Sequence, residues 1–280
     1  MIEAVLVVLS KSRPGRDDDF NDWYTNIHLR DALRFRGSIA AQRFRRSALQ
    51  SHTLPASFDW QYLALYDVYD AARFSREHWD NANTPRMMIT DAFDDSVLED
   101  YHYYPVLFRD HAPGTPHMGG VILERMNAVD GQDEDFVRYY ADTVFPAAMS
   151  RPGVRSGAFM SFRPQGQLMP SAASHRHVAV YRIDGPEAVA AWQDSAPLDA
   201  GLVDSASLLI SNWEPITARI TEDDVLHTSA AALAAEERAR ANMGDRIHHG
   251  GQEVLLQSWR SAAAGVIARG VRQRSRTAWR

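Results

Sequence analysis

The chain contains no cysteine, which removes disulfides, thiolate metal ligands and cysteine nucleophiles together. Lysine is almost as scarce: Lys11 is the only one among 30 basic residues. It follows an apolar run and borders a charged loop, where nothing depresses its pKa, so Schiff-base chemistry is not expected. There is no glycine-rich phosphate loop, no Gly-x-Ser-x-Gly and no His-Glu-x-x-His, which argues against nucleotide, serine-hydrolase and zinc-protease chemistry. No apolar run approaches the roughly 20 residues of a membrane span. The opening run Ile2 to Leu9 has no basic residue before it and the charged stretch Arg13 to Asp19 after it, so it reads as a buried strand and not as a leader. A net charge of -6 and a pI near 6.0 do not favour a nucleic-acid partner. By default the expected location is cytoplasmic.

What is present is a duplication. The stretch from Phe20 to Asp31, with Trp23, Tyr24 and His28 inside it, recurs 116 positions later from Phe136 to Ala147. The aromatic frame is kept and the polar one is lost: His28 is matched by Val144, Asp31 by Ala147, and Arg43 by Phe159. Gly37 pairs with Gly153 at the same offset, and after loops that drift slightly Tyr62 and Tyr66 align with His177 and Tyr181. Drift confined to loops is what a fold-level duplication gives. With 45% apolar residues in 280, each half is long enough to bury its own core.

Each half reads strand, helix, strand, strand, helix, strand. In the first half a strand over 3–10 is followed by Asp17, Asp18 and Asp19, which suit a helix N-terminus. That helix is expected to run to about Arg36 and to stop at Gly37. Strands follow over 39–46 and 60–69, then a helix from Asp70, further helix over 84–95 after Pro85, and a fourth strand over 98–109. The expected division is a first repeat over 1–110, a Pro/Gly linker over 111–117, a second repeat over 118–221, and an Arg/Ala-rich helical extension over 222–280, broken near His248 and His249. A βαββαβ unit is ferredoxin-like, an antiparallel sheet with both helices on one face. Because Val5 to Leu9 is apolar on both sides, the other sheet face must also be covered, and the simplest cover is the sheet of the other half. The fold class is therefore α+β.

Trp23-Tyr24, His28, Asp31, Gly37 and the strand Ala41-Gln42-Arg43-Phe44 together resemble the EthD-like branch of the dimeric α/β-barrel superfamily. The resemblance covers residues 1 to about 220. It implies that the two repeats close one barrel within the chain, where relatives usually do so between chains. Members include cofactor-free lyases, cyclases, isomerases and oxygenating enzymes, proteins without assigned activity, and distant members that bind haem, so fold alone does not decide the chemistry.

His28 and Asp31 lie at i and i+3 on one helix face; a carboxylate beside an imidazole fixes its tautomer and raises its basicity, which suits a general base. Asp31 pairing with Arg34 or Arg43 is the structural alternative. Arg43 offers a fixed cation for an enolate or carboxylate, or a buried ion pair. Tyr24, Tyr62 and Tyr66 are either cavity donors or satisfied core residues. His78 is a second acid/base candidate, or a surface histidine. Trp23, Phe44, Trp79 and Met88 complete an aromatic, weakly polar lining, which calls for a hydrophobic substrate. His175-x-His177 has metal-compatible spacing, but nothing supplies a third ligand, so neither metal nor cofactor is expected. The leading expectation is a cofactor-independent enzyme, a lyase, dehydratase, cyclase or isomerase, moving protons on an aromatic or polyketide-like molecule. The alternatives are a cofactor-free monooxygenase on a phenol and a non-catalytic small-molecule binder. Spare sheet edges favour a homodimer.

Overall fold

The N-terminal apolar run forms β1 (Ala4–Ser10), buried along its whole length because it is flanked by a strand on each side and packed on both faces. A computed structural model describes residues 1–111, 119–168, 173–193, 198–254 and 256. After β1 come α1 (Asp17–Trp23), a π-helical turn (Tyr24–His28), α2 (Leu29–Leu33), β2 (Ser38–Arg46), β3 (Tyr62–Val68), α3 (Ala71–Asn81), β4 (Ile89–Thr90), a 3₁₀ turn (Asp95–Val97) and β5 (Glu99–Asp110). The second half runs β6 (Val121–Met126), α4 (Asp133–Tyr139), a π-helical turn (Tyr140–Val144), α5 (Phe145–Met149), β7 (Val154–Phe162), β8 (His177–Ile183), α6 (Pro186–Gln193) and β9 (Leu209–Pro215). Then follow β10 (Ile220–Thr221), α7 (Glu222–Leu226), α8 (Ala230–Met243), a short 3₁₀ turn and β11 (Ile247–His248).

The duplication is visible in backbone detail. The long helix of each half carries a π turn at the same place, Tyr24–His28 and Tyr140–Val144; the inserted residue widens the turn and re-aims the side chains that follow, an arrangement common at functional sites. Each helix is followed by a glycine at positive φ, Gly37 at +106° and Gly153 at +76°. A Cβ on Gly37 would lie 2.5 Å from the Asp70 carbonyl oxygen, and one on Gly153 2.9 Å from Ala188 Cβ, so both the conformation and the close approach of the second helix require glycine.

Within each half the strand order is that of a ferredoxin-like sheet, β2-β3-β1-β5 and β7-β8-β6-β9. β5 pairs with β7 and β9 pairs back to β2, all antiparallel, closing an eight-stranded barrel within one chain. The spare edges that favoured a homodimer are thereby used, so a second copy would have to dock by other surfaces. Strand alternation sorts the side chains into three cores. Leu6, Tyr66 and Ala41 face the helices of the first half. Ile122, Phe159 and Tyr181 face those of the second. Val5, Leu65, Phe44, Met160 and Trp213 fill the barrel.

One expectation needs correction. Residues 84–95 are not helical: Met87, Ile89, Ala92 and Phe93 are buried against the first-half core, and β4 pairs with β11 from the extension, so tertiary pairing overrides the local signal. The extension packs on the first half: it is helical over α7 and α8, and Val225, Ala239, Met243 and Ile247 belong to the first-half core, while β10, just before it, lies beside β2. Most of the expected linker, 112–117, and residues 257–280 lie outside the described residues. No helix among the described residues is long and apolar enough to cross a membrane.

Candidate active site

A cavity of about 60 Å³ lies in the first half between the sheet and its helices. Leu6, Val8, Tyr66 and Asp100 form the sheet wall, Trp23, Tyr24 and His28 the wall of the long helix, and Phe74 and His78 that of α3. Met87, Met88, Ile89 and Phe93 close one side, and Gly251 and Val254 of the C-terminal extension lie across it.

Among the described residues His28 is held by rings and not by hydrogen bonds. Its imidazole lies 4.6 Å from Trp23 and 4.8 Å from Tyr24, centre to centre, and the indole Nε1 of Trp23 is fixed by donating to the Met88 carbonyl at 3.0 Å. Nδ1 of His28 is buried with no partner among the described residues. Burial, with lesser contributions from the nearby His78 and Arg43, holds its pKa well below 6.5, so the ring is neutral and available as a base. His78, 6.2 Å from His28, also has an unpartnered Nδ1 and a pKa lowered by burial to about 4. Behind them His102 has its Nε2 3.1 Å from Ser75 Oγ and a pKa lowered to about 3, chiefly by burial.

Asp100 was not among the residues the sequence singled out. It sits on β5 opposite Val8, and burial, then the neighbouring Glu99 charge, push its carboxyl up to about 7. A cavity-facing carboxyl with such a pKa can both give and take a proton near neutrality. Its only sequence signal was a charge at an alternating position of an expected strand. Across the cavity Tyr66 donates to the Tyr24 hydroxyl at 3.3 Å.

The His28–Asp31–Arg43 trio is not assembled. Asp31 turns away from the cavity and accepts from Arg34 Nη1 at 2.7 Å and Arg240 Nη2 at 2.8 Å; both arginines also bind Glu236 on α8. Asp31 therefore docks the extension and does not orient His28. Burial raises its pKa to about 6 against the opposing arginines. Arg43, fully buried, donates to Thr25 Oγ1 at 2.6 Å and Asn21 Oδ1 at 3.0 Å and lies 4.2 Å from the Tyr24 ring centre. It is outside the cavity wall and acts on it through its charge, which makes the Tyr24 hydroxyl more acidic than burial alone would and helps hold His28 neutral. Tyr62 faces an open surface pocket with Asn21 and Thr25 and donates to Asp17 at 2.7 Å. Phe44, one residue from Arg43, points into the barrel, and Trp79 is not in the cavity wall. Of the expected lining, Trp23, Tyr24, Tyr66, His78 and Met88 are brought together with His28.

The second half supplies an internal control. Phe159 stacks on Tyr140 at 4.2 Å, where Arg43 stacks on Tyr24. Trp192, four residues after the Ala188 that packs on Gly153, occupies the place of His78, four after the Phe74 that packs on Gly37. The cross-strand pair Val8↔Asp100 becomes Glu124↔Ile210, so the carboxylate has changed strands. Glu124 is satisfied by the Tyr140 hydroxyl at 2.5 Å and Trp192 Nε1 at 2.7 Å. His177, the counterpart of Tyr62, is 2.9 Å from Asp133 as Tyr62 is 2.7 Å from Asp17. His175 meets Ser174 Oγ and the Ser207 carbonyl instead. The two histidines do not converge, and among the described residues no group of three or more His, Cys, Asp or Glu is arranged to hold a metal.

This control yields a stability prediction. Arg43→Phe reproduces the second-half contact and should leave stability within about 1 kcal/mol, since an apolar replacement of a buried charge is often neutral; a large drop in melting temperature would show that Arg43 is structurally required. A second prediction follows from the titrating groups. His28, His78 and His102 have folded-state pKa values below 6.5, so the unfolded chain takes up their protons first and stability is lost as pH falls from 6.5 towards 4. Asp100 has the opposite sign: raised from 3.8 to about 7, it favours the folded state at low pH, and that contribution is lost as pH rises through this range. Asp100→Asn should therefore make unfolding free energy climb more steeply between pH 4 and 6.5, by about 1.4 kcal/mol per pH unit for one proton. Urea denaturation at several pH values reads the slope; no change would mean that Asp100 is ionised in the folded protein.

No family model matches the chain, and no curated protein does. Among solved structures, a provisionally assigned monooxygenase from Fusobacterium nucleatum superposes with a TM-score of 0.53 at 6% identity, over 79% of this chain and 94% of the other. An anthrone oxidase-like protein superposes with a TM-score of 0.53 at 12% identity, over 81% and 96%. At these identities the likeness is one of fold. The chain is a tandem ferredoxin-like α/β barrel.

Proposed function

We propose that the first half is a cofactor-independent enzyme that takes a proton from an apolar, aromatic or polyketide-like small molecule. One observation carries the reading: His28, His78 and Asp100 converge on an apolar cavity and, among the described residues, no other side chain hydrogen-bonds to them, while the equivalent second-half positions are apolar or fully bonded. Neutral His28 accepts the proton from an acidic carbon of the substrate. The electron pair left behind moves onto the conjugated oxygen, to which Tyr24 and Tyr66 donate hydrogen bonds. Asp100, protonated near neutrality, returns a proton elsewhere on the molecule, completing an isomerisation, or protonates a departing hydroxyl, completing a dehydration, and the proton taken by His28 then restores Asp100 or passes to solvent.

A cavity of about 60 Å³ admits no such substrate, since sites for small organic ligands run to ~300 Å³ or more. The segment 247–254, attached through the β4–β11 pairing and through Gln252 to Asn83 and the Trp79 carbonyl, therefore moves aside on binding. A haem would need a larger opening still, and a Soret band in the purified protein would favour that ligand over the proposed one.

The name of the anthrone oxidase-like neighbour favours a second reading with the same first step. The carbanion formed by His28 would react with dioxygen instead of a proton; for a methylene such as that of anthrone, one oxygen atom enters the carbonyl product and the other leaves in water. Incubating wild type with anthrone, with and without dioxygen, separates the two. Product formed only with stoichiometric oxygen consumption supports oxygenation, and isomerised or dehydrated product under nitrogen, from a polyketide-like substrate, supports proton transfer alone. No binding and no reaction across a panel of such compounds would oppose both.

A further inference from the structure

A second cavity, of about 350 Å³, opens at one mouth of the barrel, on the sheet face opposite the site above. Val5, Leu65, Met160 and Val180 line it, and Phe108, 61% exposed, stands at its rim. One layer of this interior is polar. Arg182 on β8 reaches across the barrel to donate to Gln42 Oε1 at 2.7 Å, and Gln42 is held in turn by donating to the Thr217 carbonyl at 3.1 Å.

Arg182 is the unusual member. It is half-buried, yet among the described residues no carboxylate lies within ion-pair distance of it, and the bond to neutral Gln42 is its only side-chain hydrogen bond. A guanidinium carries five N–H donors, so most of its capacity is uncommitted, and none of those donors is sealed away without a partner. Asp67, the carboxylate in the same wall, is occupied by Arg219, whose Nε donates to it at 3.2 Å with a second, shorter bond from Nη2. Asp67 and, more weakly, Asp110 still bear on Arg182 through space, but Arg219 offsets Asp67, and Asp110 is solvent-exposed, where screening weakens it. Arg182 thus keeps uncommitted donors beside an apolar chamber without a direct ion pair. Such a charge half out of water favours an anion that brings its own apolar body.

We propose that the barrel mouth is a second ligand site, which takes a small amphipathic carboxylate with its carboxylate on Arg182 and its hydrocarbon part between Val5, Leu65, Met160 and Val180. The site is separate from the His28 cavity and does not rest on the function assigned there. The uncharged twin of the ligand fills the same volume without the ion pair, which gives the experiment its contrast.

The test is a titration of the full chain, labelled with ¹³C at the methionine methyl groups, with octanoate and with 1-octanol. Octanoate is expected to shift the Met160 methyl signal saturably while Met87 and Met88, in the His28 cavity, stay unmoved. Octanol should bind about tenfold more weakly or less well still, the loss of one charge-assisted pair. Arg182→Gln should weaken octanoate to the level of octanol, and Arg182→Lys should restore part of the difference. If the variants fail to fold, the wild-type titration alone decides. Shifts at Met88 in place of Met160, equal affinity for octanoate and octanol, or no saturable shift would each overturn the proposal.

Discussion

His28→Val should fold as the parent does and lose turnover of its aromatic substrate by about 100- to 10,000-fold, the usual worth of a positioned general base. The substitution is drawn from the protein itself, since Val144 occupies the equivalent position in the second half on an equivalent π turn. The ring it removes makes no hydrogen bond to the described residues, so none is left broken. Substrate affinity should change far less than turnover, because the apolar walls remain. A variant with full activity would remove His28 from the mechanism, and one that unfolds would mean that its packing on Trp23 and Tyr24 is structural.

Asp31→Ala is expected to release the C-terminal extension, at a cost of about 2 kcal/mol. Breaking a buried ion pair costs about 3–5 kcal/mol; here the loss is smaller because Arg34 and Arg240 are about a third exposed and keep Glu236 as a partner. If the loss falls on docking alone, about 2 kcal/mol multiplies the undocked population roughly 30-fold. Limited proteolysis between residues 226 and 254 should accelerate by a similar factor while the barrel resists cleavage. The second half shows why this carboxylate belongs to the extension: its counterpart Ala147 is exposed among the described residues. Unchanged proteolysis would show that β11 and the apolar contacts of α8 hold the extension without the ion network.

The architecture was legible in the sequence because the duplication is. The 116-residue offset paired the helices, the glycines and the strands, and the closed barrel follows from strands apolar on both faces. Residues 84–95 misled because their strand partner, Ile247–His248, lies some 157 residues further along the chain, beyond any local pattern. The candidate site was legible in part. His28, Tyr24 and Tyr66 stood out because the second half lacks or retains their counterparts in a readable way, and His78 as a histidine following the third strand. Asp31 was misassigned because i,i+3 spacing permits a contact with His28 without requiring it; the arginine that decides its orientation is 209 residues away. Arg43 and Phe44 show the strand rule at work, as one residue along β2 separates the helix-side core from the barrel interior. Asp100 escaped because only its pairing with Val8, seen against Glu124 and Ile210, marks it as the surviving carboxylate of a duplicated site.

Proton abstraction in the first-half cavity is common to both functional readings, and solvent exchange tests it without requiring a completed reaction. Anthrone, or another substrate with an acidic methylene, is incubated in deuterium oxide without dioxygen, and deuterium at that carbon is followed by mass spectrometry for wild type, His28→Val and buffer alone. The expected result is incorporation by wild type well above buffer, with His28→Val at the buffer rate. Equal incorporation by the two proteins, or binding by wild type with no exchange above buffer, would contradict a proton-abstracting role for His28.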